Sequence, residues 1–204
     1  MFVVLLAAGL SSASIMNLLS PELTARLGYA PTHLQDPSEW WRLAVSGTVT
    51  TGGRGFVAGV ISLLVFTGTS EWWAGTRWAA IGFAVGYFAS VLAVSLLVAL
   101  PLYWLGSSIG KELATLPGVG PSAGYLGSLG LIAAMLPERF RRPGATFAFV
   151  VLAALVAIPP IGTDEPRAIW VTDGLVHLFA FVAVFATRML WQRRRNRRTA
   201  RGGT

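Results

Sequence analysis

Long apolar runs interrupted by short polar stretches constrain this chain most. Leu, Val, Ala, Phe and Trp recur in segments near the length of about 20 mostly apolar residues that crosses a bilayer. The 204 residues are 54% hydrophobic and only 12% charged, and the mean hydropathy is +0.62. A soluble domain of this size carries roughly twice the charge. The chain therefore reads as an all-α integral membrane protein with six transmembrane helices in one domain, residues 1–191, followed by a basic cytoplasmic tail, 192–204, expected to be disordered. The absence of cysteine rules out disulfides and thiolate chemistry. With two histidines, neither a metal site nor a cofactor is expected.

The expected spans are residues 2–19, 55–69, 78–105, 120–136, 145–158 and 170–191. The first is kept as a membrane helix rather than a cleaved leader, because no basic n-region or clean small-x-small site precedes Pro21. Residues 21–53 form a long connector whose Trp40, Trp41, Leu43 and Val45 suit an ordered, partly embedded loop. Charge placement fits six spans with both termini cytoplasmic, in a plasma membrane. That topology puts eleven basic residues inside, six of them in the arginine tail, against five outside, while seven of the nine acids lie outside. The tail is read as an orientation signal touching anionic lipid, with no nucleic-acid partner.

Two polar residues stand where polarity is costly: Ser122, in Gly120-Pro121-Ser122-Ala123-Gly124, and His177, in Asp173-Gly174-Leu175-Val176-His177. A hydroxyl and a neutral imidazole within reach of each other form a nucleophile and its base. The topology places both in the outer half of the membrane. The fourth run, 17 residues or about 26 Å as a helix, is short for a core about 30 Å thick, so Ser122 is expected below the surface. Glycines at 120, 124, 127 and 130 line one side of that helix and permit close approach of another backbone. Gly120-Pro121 suits a loop-to-helix junction whose free N–H groups can hold an oxyanion. Asp173, one turn before His177, is a candidate third member or a helix cap. His33 is expected to be exposed, and Trp72 and Trp73 to anchor the interface.

These residues, taken in order, resemble the rhomboid family of intramembrane serine proteases. Gly120-Pro121-Ser122 with Gly127 and Gly130 is similar to the family's Gly-x-Ser helix start, and His177 with Ala180 and Ala183 to its sixth helix. Glu39-Trp40-Trp41-Arg42 looks like the end of its first loop, and Glu71, Gly75, Thr76 and Arg77 like its second connector. The resemblance implies a rhomboid-like bundle in which Ser122 is the nucleophile and His177 the base; Gly120, at the helix start, and Asp173, one turn before His177, are the candidate supports by position. The implied activity is serine endopeptidase cleavage of transmembrane segments of other membrane proteins.

Ala123 stands where the family commonly has Gly, and Leu126 where it has an aromatic residue. Phe56 and Val60 stand where active members carry a His and an Asn that help hold the oxyanion. Losing one such donor costs roughly 100- to 1000-fold in rate. The first alternative is therefore a catalytically inactive rhomboid-like protein, a pseudoprotease that binds or escorts membrane clients. The second is a small transporter or channel subunit, against which stands the lack of paired mid-membrane charges and of internal repeats. Oligomeric state and substrate identity are not written in these residues.

Overall fold

The computed structural model describes residues 21–50, 53–158 and 167–201. Those residues are helical, with one isolated antiparallel bridge, Tyr29 to Gly118. Helix α1, Pro21–Leu27, is followed by two short 3-10 turns, Pro31–Gln35 and Pro37–Glu39, and by α2, Trp41–Ser46. Helix α3 runs from Gly53–Ser62 through a π-helical stretch, Leu63–Gly68, into Thr69–Ala74. Then come α4, Thr76–Trp104, α5, Ser108–Thr115, α6, Ser122–Met135, α7, Glu138–Ala157, and α8, Arg167–Arg201.

Four of these helices are long and apolar enough to cross a membrane: Phe56–Ala74 of α3, α4, α7 and most of α8. That classes the chain as an integral membrane protein. The expected first span lies outside the described residues, and α6 is an apolar helix of 14 residues, about 21 Å long. It is thus shorter than a hydrocarbon core of about 30 Å.

Local chemistry explains where the helices end and bend. Pro101 has no N–H for the carbonyl four residues back, and the π-helical stretch Ser95–Ala99 widens the helix where that ladder is broken. Gly106, at φ 75°, closes α4. Its N–H donates to Tyr103 O at 3.0 Å, and Ser107 N–H donates to Leu102 O at 3.1 Å, the paired bonds of a Schellman stop. Gly75, at φ 81°, makes the reversal between α3 and α4. Helix α7 begins at Glu138, about two turns earlier than the sequence suggests, with Pro143 inside it. So early in a helix that proline removes only one ladder bond.

The arginine tail, expected to be disordered, continues α8 as helix to Arg201. Unbranched arginines are good helix formers, and cations suit a helix C-terminus.

Helices α4, α6 and α8 form the centre, and glycine makes them fit. A Cβ on Gly86 would lie 2.7 Å from Gly127 Cα, and one on Gly130 would lie 2.4 Å from Phe181 O. The α4 and α6 backbones touch at the first point, α6 and α8 at the second. Gly124 leaves room for the Phe83 ring of α4, 2.4 Å from an added Cβ. Helix α7 lies outside this core: Leu152 is its buried residue, while Phe147, Val150 and Leu155 are exposed.

The expected ordered loop is present between α1 and α3. Tyr29 and Gly118 exchange backbone bonds of 3.0 and 2.9 Å, and Thr32 donates to Ala114 O at 3.0 Å. Arg42 pairs with Glu39 and donates to the carbonyls of Ala25 and Arg26. This loop lies over the start of α6, where Gly120 N–H donates to Ser46 O at 2.8 Å. His33 is half-buried rather than exposed, because its Nδ1 accepts the Ala30 N–H at 3.0 Å.

Candidate functional site

Ser122 is the first residue of α6. Gly120 before it has φ 137°, a conformation that favours glycine, and Pro121 follows in the cap position. Pro121 O accepts from Gly124 and Tyr125 N–H groups at 2.9 and 3.2 Å. No side chain caps the helix, so the N–H groups that open α6 gain no side-chain acceptor.

Half-buried Ser122 lines a small cleft of about 90 Å³ with Tyr29, Ser46, Tyr87, Thr172, Asp173 and Val176. Polar groups there pair with one another. The hydroxyls of Ser46 and Tyr87 are 2.8 Å apart, and those of Tyr29 and Ser95 3.0 Å apart.

His177 faces a different space. It lines a cavity of about 570 Å³ together with Phe66 of α3, Tyr125 and Leu129 of α6, and Phe147 and Val151 of α7. Besides His177, the polar side chains in its wall are Ser62 and Tyr125, which bond each other, and the remaining lining is apolar. His177 Nε2 is buried and has no hydrogen-bond partner among the described residues.

The periodicity of α8 separates the two candidates. Asp173 and Val176, three apart, line the serine cleft, whereas Gly174 and His177, also three apart, line the apolar cavity. One residue is a rotation of about 100° about the helix axis. Val176 packs with the cluster of Tyr87, Ala123 and Ala180, so an apolar contact fills the α6–α8 seam beside Ser122. No hydrogen bond joins Ser122 to His177 Nε2. The structure brings Ser122, Gly120 and Asp173 to one cleft and places His177 beside another.

The exposed Asp173 reaches the mouth of the Ser122 cleft. Phe56 and Val60 are half-buried on α3 and bring no polar group. Among the described residues no three His, Asp or Glu side chains gather as metal ligands would.

The paired hydroxyls of Tyr29, Ser46, Tyr87 and Ser95 were not singled out in the sequence. Their signal is Ser and Tyr recurring within or beside apolar runs, where a hydroxyl needs a partner. Comparisons with family models, with curated proteins and with solved structures find no match for this chain.

Proposed function

We propose that the protein binds membrane clients, holding an apolar segment in the cavity bounded by α3, α6 and α7, with His177 as the polar contact. This is the non-proteolytic form of the rhomboid-like reading. The observation that carries it is the buried His177 Nε2, unpartnered beside an apolar space. An unmet buried polar group costs about 1–3 kcal/mol. A turn of the half-buried imidazole brings Nε2 to the cavity, where a client hydroxyl, or a carbonyl bared where a client helix bends, offsets that cost on docking. The volume, about 570 Å³, falls in the range of roughly 300–1,000 Å³ that holds a ligand or a few side chains. Phe56 and Val60, in place of two oxyanion donors, agree with binding without turnover.

A photo-crosslinker at Leu129 or Val151 of the full chain in native membranes tests this reading. Crosslinks to membrane proteins, lost in His177→Phe and retained in Ser122→Ala, are expected. Crosslinks to lipid alone would overturn it.

The second reading is intramembrane serine proteolysis. It is favoured by Ser122 at an uncapped helix start, in a cleft that also holds Asp173. Catalysis would require His177 to turn from its cavity toward Ser122. Phosphonofluoridate labelling of the wild type but not of Ser122→Ala supports the enzyme, and no labelling of the folded protein supports the binder.

A further inference from the structure

Arg188 of α8 takes part in neither cleft. Its guanidinium sits in the corner formed by two indoles, 4.3 Å from the Trp78 ring and 4.7 Å from the Trp191 ring. The two rings meet edge to face at 4.9 Å. Trp78 belongs to the first turn of α4, so this contact marks the end of the bundle where α3 turns into α4. Aromatic faces stabilise a cation but accept no conventional N–H bonds. Arg188 Nε and Nη1 are buried and unpartnered among the described residues.

We propose that the Arg188 pocket, walled by Trp78 and Trp191, binds the phosphate of an anionic phospholipid headgroup.

Three observations favour this occupant. Positive charge converges here: the Arg195 guanidinium lies 5.6 Å from the same Trp191 ring. Glu71, which accepts the Thr76 hydroxyl at 2.8 Å, and Glu138, at the start of α7, are the acids at this end, and neither bonds Arg188 Nε or Nη1. A phosphate supplies several strong acceptors to a planar guanidinium. Finally, the surroundings suit a lipid. Trp favours the headgroup level, which places this corner of α4 and α8 at the depth of lipid phosphates. Arg188 is only half-buried as a residue, so a headgroup approaches from its open edge. A small swing of Trp191, itself 36% exposed, then bares Nη1.

The site differs from diffuse attraction by the arginine tail, and the test separates them. Phosphatidylglycerol, phosphatidylcholine with the same chains, and inorganic phosphate are titrated into the full chain in neutral detergent micelles. Thermal unfolding is the readout. Saturable stabilisation by phosphatidylglycerol alone is expected. Arg188→Gln should weaken its apparent affinity about tenfold or more, the loss of one charge-assisted hydrogen bond. A variant with Arg193, Arg194, Arg197 and Arg198 all changed to Gln should keep the saturable response.

Arg188→Lys retains the charge but not the two-pronged donor, and should also weaken binding; it serves if Arg188→Gln does not fold. Unchanged affinity in the Arg188 variants, or loss of the response with the tail arginines alone, overturns the site. Equal stabilisation by inorganic phosphate overturns the lipid as its ligand.

Discussion

Gly86 and Gly127 meet backbone to backbone: a Cβ on either would lie 2.7 Å from the Cα of the other. This contact lets α4 and α6 approach to a distance that no larger residue permits, and it sets the position of Ser122 five residues earlier. Gly127→Ala should therefore destabilise by about 1–3 kcal/mol, the usual cost of overpacking. Gly68→Ala is the control. Gly68 is helical, with φ −61°, nothing lies within 4 Å of an added Cβ, and Ala gains helix propensity. Thermal unfolding in micelles should show a lower midpoint for the first variant and an equal or higher one for the second.

The glycine contacts were legible because spacing alone puts residues 124, 127 and 130 on one side of a helix. The helix start was legible too: Gly120-Pro121 marks a loop-to-helix junction, and Ser122 is the first residue of α6. The azimuth of His177 was not. Val176 and His177 have nearly the same depth, and which of them faces α6 depends on side-chain packing in α8 that no periodic pattern resolves. Helix α7 starts at Glu138 rather than near Ala145 because helix propensity in 138–144 outweighs its charge density. The pairing of Arg188 with Trp78 joins residues 110 positions apart, beyond any local pattern.

The hydroxyls of Tyr87 and Ser46, 2.8 Å apart and buried, tie the α2 segment to α4. Tyr87→Phe keeps the ring and leaves the Ser46 hydroxyl with only a 3.5 Å contact to Leu43 O. A cost of about 1–2 kcal/mol follows from the lost bond. Because Gly120 N–H is held by Ser46 O, the start of α6 should loosen with the loop. Hydrogen exchange should quicken in 43–50 and at Gly120 while the α4–α6 contact stays protected. Uniform quickening would show that the bond has no local role.

His33 gives the loop a pH dependence. Its pKa is held below 6.5, first by burial and then by the Arg42 charge, with Glu39 opposing. The neutral ring is the one that accepts the Ala30 N–H at Nδ1. A depressed folded pKa means that the unfolded loop binds the proton more readily. The stabilisation is therefore complete above pH 6.5, the ordinary value, and is lost as pH falls through the lower folded value. Exchange in 29–36 should accelerate between pH 7.5 and 5, and His33→Gln should flatten that dependence. An unchanged profile in the variant would assign the effect to another group.

His177 and Ser122 differ in what their removal should do. His177 Nε2 has no partner among the described residues, so the fold bears its desolvation without return. Phe in its place removes the polar atom, and the adjoining space of about 570 Å³ accommodates the larger ring. His177→Phe should leave stability unchanged or raise it by about 1 kcal/mol, while abolishing the client crosslinks. Ser122→Ala should change stability by less than about 0.5 kcal/mol, as expected for a half-buried side chain outside the core. Unfolding midpoints of the two variants against wild type measure both. A fall of more than about 1 kcal/mol in His177→Phe would mean that the imidazole is hydrogen-bonded in the resting protein. The binding reading would then lose the observation on which it stands.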